Sequence, residues 1–274
     1  MSPDSAQEAN ALADRIGRLS CESVDKPVLV YFDIIGICWP IRCLLHLKDI
    51  DYERLTISLG AWIHRNPDGC EPLIECCRNG HLPVYVDSDV HMSQSNLIMA
   101  YLAEKHDLFG DNAEERRMIN EIMAHAYDAL FHWSGLFQII IKLAIPDAVA
   151  ESRLRAFMGN GMWGVLSDGY RRNLDPFERY LRANPDKDSG FIVGSRLSIA
   201  DLHAFNVLCN WYKAFDRARF VQSHPRLDRY IRGIAALPRV GDYIRHRQEP
   251  TTWFPWPEAA LRLTSPEELI GLTD

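Results

Sequence analysis

Strand-forming sequence stops at about residue 110. Before that point, short runs rich in β-branched and aromatic residues alternate with helix-patterned stretches. Beyond it, only helical periodicity is found. Val28-Leu29-Val30-Tyr31-Phe32 reads as a buried strand. Asp33 to Cys38 is a loop, and Pro40 sits where a helix can start, because its missing N–H is harmless in a first turn. Ile41, Leu44 and Leu45 give that helix an apolar face. Tyr52 to Ile57 alternates as a second strand, Pro83 to Val86 is a third, and Val90 to Met92 a short fourth after the turn at Asp87-Ser88-Asp89. Ser95 to His106 reads as a helix with Leu97, Ile98, Tyr101 and Leu102 inward. The order is β-α-β-(loop/α)-β-β-α.

The second part starts with a long helix that Asp111 or Asn112 can cap, with Glu114 and Glu115 at its positive end. Its stripe is Ile119, Ile122/Met123, Ala126 and Leu130. Further helices are expected over 149–158, 164–183, 199–215, 226–236 and 240–245. The fold class is therefore α/β plus all-α. Four regions follow: an N-terminal extension over 1–25, an α/β domain over 26–110, a helical domain over 111–248 and a tail over 249–274. The extension carries a weak stripe at Leu12, Ile16 and Leu19. The tail opens with Trp253, Phe254 and Trp256, too apolar to stay solvated, and is expected to pack on the core or close a pocket mouth.

A net charge of −7 gives no electrostatic footprint for nucleic acid. Seven scattered cysteines without a CxxC pair suggest neither a disulfide framework nor a metal site, and fit reduced thiols in the cytoplasm. The longest apolar run is too short to span a bilayer.

Three ordered motifs carry a family resemblance. The segment Tyr31-Phe32-Asp33-Ile34-Ile35-Gly36-Ile37-Cys38-Trp39-Pro40-Ile41-Arg42 resembles the first-strand segment of the tyrosine-type cytosolic glutathione transferases, most closely the mu and sigma classes. Leu82-Pro83-Val84 followed by Gln94-Ser95-Asn96 is similar to their paired cis-proline and Gln-Ser elements. Gly194-Ser195-Arg196-Leu197-Ser198-Ile199-Ala200-Asp201 resembles the capping box of their helical domain. The resemblance covers about 27–246. It implies a thioredoxin-like N-terminal domain, a helical C-terminal domain, a homodimer, glutathione as cosubstrate and a hydrophobic electrophile as second substrate.

The resemblance also assigns roles. Tyr31 matches the catalytic tyrosine, whose hydroxyl would favour the glutathione thiolate by hydrogen bonding to sulfur. Glutathione would further meet Ile37, Trp62, Leu82, Pro83, Gln94, Ser95 and Asp128. The backbone of Leu82 would pair with the cysteinyl part. Gln94 and Ser95, with Ser95 read as a helix N-cap, would hold the γ-glutamyl carboxylate. Asp128 would reach the γ-glutamyl amine across a dimer interface. Trp62, with His64 or Arg65, would hold the glycyl carboxylate. Ile35 and Trp39 depart from the family pattern and, with Cys38, would border the second-substrate pocket. Cys38 also leaves open a thiol–disulfide activity, although packing is its favoured role. Ser198 and Asp201 read as folding determinants, the serine hydroxyl capping an N–H three residues on and the carboxylate returning the bond.

Overall fold

The apolar runs pair into one mixed four-stranded sheet. In the computed structural model the strands are β1 (Val28–Phe32), β2 (Glu53–Ile57), β3 (Val84–Val86) and β4 (His91–Ser93), in the order β2-β1-β3-β4. The structure describes residues 24–57, 79–142, 163–214 and 217–246, together with residues 11, 14, 15, 18 and 19. Trp62, His64, Arg65 and the aromatic tail lie outside the described residues. The described chain divides into two compact units, one up to His106 and the other from Asp107 to His246.

In the first unit β1 runs parallel to β2 and antiparallel to β3. Val28, Leu29 and Val30 are at most 1% exposed. A strand paired on both edges and covered on both faces must be apolar throughout, which is why β1 reads as a run and not as an alternation. A single 3₁₀ turn, Gly36–Cys38, leads into helix α1 (Trp39–Leu47). Ile41, Leu44 and Leu45 are fully buried, each contributing about 1.5–3 kcal/mol. Helix α2 (Ser95–Lys105) packs beside α1. Its inward face is Ile98, Met99, Leu102 and Ala103. Leu97 was expected on that face but is 57% exposed. It lies one helical step round from Ile98, so the α2 face is centred one residue later than its apolar pattern suggests.

The turn between β3 and β4 is bound to α2 by Asp87. Its Oδ1 accepts the N–H groups of Asp89 and Val90 at 2.9 and 3.0 Å. Its Oδ2 accepts the Tyr101 hydroxyl at 2.7 Å and Lys105 Nζ at 3.1 Å. Burial pushes this carboxyl up, but the donors outweigh it and hold it below its ordinary value. These bonds tie the C-terminal half of α2 to the β3–β4 turn. Of the N-terminal stripe, Leu19 is 3% exposed, and Arg15 pairs with Glu53 at 2.8 Å.

The second unit contains helices α3 (Ala113–Lys142), α4 (Trp163–Ala183), α5 (Ile199–Ala214), α6 (Arg217–Ser223), α7 (Pro225–Ala236) and α8 (Pro238–His246). Asn112, not Asp111, caps α3: its Oδ1 accepts the Glu115 N–H at 3.0 Å, while Glu115 Oε2 accepts the Asp111 N–H at 2.7 Å. Ile119, Ile122, Met123 and Ala126 are buried as the periodicity demands. Arg196 forks onto Asp107 at 2.8 and 2.9 Å, tying the segment before α3 to the segment before α5. Helix α6, seven residues long, was not expected as a separate element.

Asp201 organises the start of α5. It is fully buried and accepts the Ile192 N–H at 2.8 Å, the Ser198 N–H and hydroxyl each at 2.9 Å, and the Tyr230 hydroxyl at 3.0 Å. The carboxylate half of the expected capping box is present. The serine half differs: the Ser198 hydroxyl donates to Asp201, and the Asp201 N–H reaches the Ser198 carbonyl at 3.1 Å. Burial pushes the Asp201 carboxyl up to about 6 against the lowering effect of its donors.

Candidate active site

The strand register gathers the Tyr31, Leu82–Pro83 and Gln94–Ser95 segments at one end of the sheet. Val84 lies opposite Val30 on one side and Ser93 on the other. Continuing that register, Leu82 and Pro83 fall beside the end of β1, where Tyr31 and Phe32 sit, and beside Gln94 and Ser95. All belong to the first unit.

Tyr31 is 6% exposed. Its ring edge lies against Gly36: a Cβ placed on that glycine would come within 3.0 Å of Cε1 and 3.1 Å of Cζ, and closer still to the hydroxyl. Gly36 has a φ of +46°, so a side chain there would meet both backbone strain and the tyrosine. The loop between them is held by Arg42 of α1, which is 1% exposed. Its Nη1 donates to the Ile34 carbonyl at 2.6 Å and its Nη2 to the Phe32 carbonyl at 2.9 Å. The guanidinium lies 5.5 Å from the Tyr31 ring centroid. Arg54 of β2 forms an ion pair with Asp33 on the same loop.

The Leu82–Pro83 peptide bond is cis. Among the described residues, no backbone hydrogen bond uses the N–H or C=O of Leu82. Residue 82 is thus placed as an unpaired strand edge would be.

At the start of α2 the structure corrects one expectation. The N-cap is Gln94, not Ser95, which is already the first helical residue. Gln94 has φ +78° and ψ +107°. Asp49 and Asp107 also have positive φ, but they follow helix ends, where an Asp tolerates the left-handed conformation. Gln94 sits at a strand-to-helix corner, with a ψ outside the left-handed well. Backbone strain of this kind clusters at ligand sites. Gln94 is exposed, while Ser95 is 2% exposed. Among the described residues, of the first N–H groups of α2 only that of Ile98 is bonded to backbone, to the Gln94 carbonyl at 3.0 Å. The end of α2 therefore offers free donors and a positive dipole end to an anion. Asn96 Oδ1 is buried there without a hydrogen-bond partner.

The remaining candidates separate. Ile37 is half-buried on the same loop. Ile35, Cys38 and Trp39 are 1%, 0% and 1% exposed. Asp128 is exposed on α3 in the second unit. Arg42 was quoted in the first motif without a role; the signal available was a charged residue inside the apolar stretch from Ile41 to Leu45.

The match with known proteins follows this geometry. The family model described as Glutathione S-transferase, N-terminal domain, matches residues 27–104, and that described as Glutathione S-transferase, C-terminal domain, matches 167–247. The chain belongs to the glutathione S-transferase family. A glutathione S-transferase of Dermatophagoides pteronyssinus is 28% identical over 243 residues, covering 84% of this chain and 94% of that protein. Glutathione S-transferase P 1 of Xenopus laevis is 26% identical, covering 80% and 91%. Glutathione S-transferase alpha-2 of Rattus norvegicus is 27% identical, covering 80% and 88%. The superfamily is shared by all of them, and the mu or sigma class is not singled out. The solved glutathione S-transferase of Ascaris lumbricoides superposes with a TM-score of 0.64 at 20% identity, covering 84% of this chain and 100% of its own. The mixed sheet of the first unit is thus a thioredoxin-like domain, and the second unit is the family's helical domain. Among the described residues, no helix is long and apolar enough to cross a membrane.

Proposed function

We propose that this chain is a glutathione transferase that binds glutathione at the sheet end formed by Tyr31, Leu82, Gln94 and Ser95, and adds its thiolate to a hydrophobic electrophile. The observation that carries this reading is the register, which gathers a tyrosine, an unpaired backbone edge and a helix N-terminus in one place. Each meets one part of the tripeptide. The Tyr31 hydroxyl donates to the sulfur and favours its charged form. The N–H and C=O of Leu82 pair with the cysteinyl backbone as an added strand would. The first N–H groups of α2, with Gln94 and the Ser95 hydroxyl, take the γ-glutamyl carboxylate. The glycyl carboxylate is assigned to Trp62. Ile37 borders the thiol.

The thiol proton leaves to solvent as the thiolate forms. The thiolate attacks the electrophilic carbon and a carbon–sulfur bond forms; in substitution the leaving group departs with its electron pair, and in addition the displaced π electron pair takes a proton from solvent. Glutathione-dependent isomerisation would use the same thiolate, with the sulfur leaving again. Ile35, Cys38 and Trp39 are proposed to shape the second-substrate pocket from beneath, since their burial keeps them from offering it surface. A buried Cys38 also weighs against a thiol–disulfide enzyme, which needs an accessible thiolate.

The enzyme is proposed to work as a cytoplasmic homodimer, with the exposed carboxylate of Asp128 reaching the partner's γ-glutamyl amine. Titration of the purified protein with glutathione, followed by turnover of a generic aryl halide, tests the reading. Binding at or below millimolar concentration with turnover is expected, and Ser95→Ala should weaken glutathione binding about 10-fold or more through one lost charge-assisted bond. Absence of binding at millimolar glutathione would instead support a non-catalytic member that kept the fold.

A further inference from the structure

We propose that the cleft between α4 and the start of α7, in the second unit, binds an α-amino-acid head group, a carbon bearing an ammonium and a carboxylate. The cleft encloses about 440 Å³, within the range of small-molecule sites. Asp175, Glu178, Arg179 and Arg182 line it from α4, and His224 and Arg226 from the entry to α7. The four α4 residues stand at i, i+3, i+4 and i+7, so the helix presents them as one polar stripe. Two bonds fix the α7 side. His224 Nε2 lies 3.3 Å from Asp175 Oδ1, and the Asp228 N–H donates to the His224 carbonyl at 3.1 Å.

Glu178 is 8% exposed. Among the described residues its carboxylate takes one bond, from Arg182 Nη2 to Oε2 at 3.5 Å, the outer limit of a hydrogen bond, and Oε1 has no partner. A buried carboxylate short of donors is costly, and the broad terminal torsion of a glutamate lets either oxygen turn to a donor in the cleft. An ammonium supplies three donors and the opposite charge. The α7 side suits an anion instead. His224 gives α7 no side-chain cap, Pro225 has no N–H, and among the described residues no backbone bond takes the N–H groups of Arg226 and Leu227. The exposed guanidiniums of Arg179 and Arg226 stand in the same cleft as this positive helix end. A simple anion would meet the arginines but would set its charge against Glu178 and leave that carboxylate short of donors. A zwitterion satisfies both. Free amino acids carry this head group, and so does the γ-glutamyl end of glutathione. None of the cleft residues belongs to the sheet-end site of the first unit.

Calorimetric titration of the full chain tests this with four probes: L-glutamate, N-acetyl-L-glutamate, inorganic phosphate and glutathione. The proteins are the wild type, Glu178→Gln, the double variant Arg179→Ala/Arg226→Ala, and Ser95→Ala. L-Glutamate should bind the wild type and Ser95→Ala alike, and should bind Glu178→Gln and the double variant about tenfold or more weakly. N-Acetyl-L-glutamate, which lacks the ammonium, and phosphate should each bind the wild type about tenfold or more weakly than L-glutamate does. If L-glutamate does not bind but glutathione fills two sites per chain, with one lost in the double variant and kept in Ser95→Ala, the head group is that of the tripeptide and the proposal stands. If Glu178→Gln does not fold, the double variant, changed only at exposed side chains, carries the test together with N-acetyl-L-glutamate. The proposal is overturned if phosphate or N-acetyl-L-glutamate binds as tightly as L-glutamate, or if the double variant binds like the wild type. It is also overturned if Ser95→Ala loses the L-glutamate site, or if neither L-glutamate nor a second glutathione binds.

Discussion

Burial of a carboxylate among four donors makes Asp201 a sensitive probe of how the helical unit is held. Replacement by Asn keeps the volume but turns one oxygen into an NH2 group that faces donors. The Ser198 N–H and hydroxyl, the Ile192 N–H and the Tyr230 hydroxyl converge there within 2.8–3.0 Å. Leaving two of them unmet at a buried site costs about 3–5 kcal/mol. The pH dependence is the sharper part. Burial raises the folded-state pKa of Asp201 to about 6 from 3.8. A carboxyl whose pKa rises on folding binds more protons in the native state between those values, so its contribution to stability grows as pH falls through 6 toward 4. The Asn variant has no such proton. The stability gap between wild type and Asp201→Asn should therefore widen by about 1 kcal/mol between pH 7 and pH 5. Urea unfolding followed by circular dichroism at both pH values measures it. A gap that stays constant, or narrows with acidification, would show that the four donors keep the carboxylate ionised and that desolvation does not govern the group.

Two further outcomes follow from the first unit. Gly36→Ala should lose at least about tenfold in kcat with secondary structure retained, because its Cβ occupies the space of the Tyr31 hydroxyl; steady-state kinetics with circular dichroism checks this. Cys38→Ser should retain most conjugation activity and should not abolish any hydroxyethyl-disulfide reduction, since the thiol is buried; loss of reduction in that variant alone would restore the thiol–disulfide reading.

Much of this arrangement was legible in local sequence because it is set by local chemistry. β1 is an apolar run bounded by Pro27 and Asp33, and the structure begins and ends it at Val28 and Phe32. Pro40 fell inside the first turn of α1 as its missing donor requires. The cis bond before Pro83 came from family resemblance alone, since composition carries no signal for it. What was not legible depends on tertiary context. The positive φ of Gln94 is imposed by the corner between β4 and α2, and glutamine has no intrinsic preference for it. A helix start was thus expected at Ser95 as cap, one residue late. Leu97 was counted inward because it is apolar, while the packing of α2 centres on Ile98 and Met99. Arg42 was invisible as a site residue because a charge on a helix reads as solvated until its burial is known. Helix α6 is too short for periodicity to declare itself.

The account turns on one hydroxyl. Glutathione bound to the wild type at neutral pH should show the ultraviolet absorbance of a thiolate, and Tyr31→Phe should lose that band at the same pH while still binding glutathione and retaining the fold. A Tyr31→Phe protein with the band and the conjugation rate both intact would contradict the assignment of Tyr31 as the group that ionises the thiol.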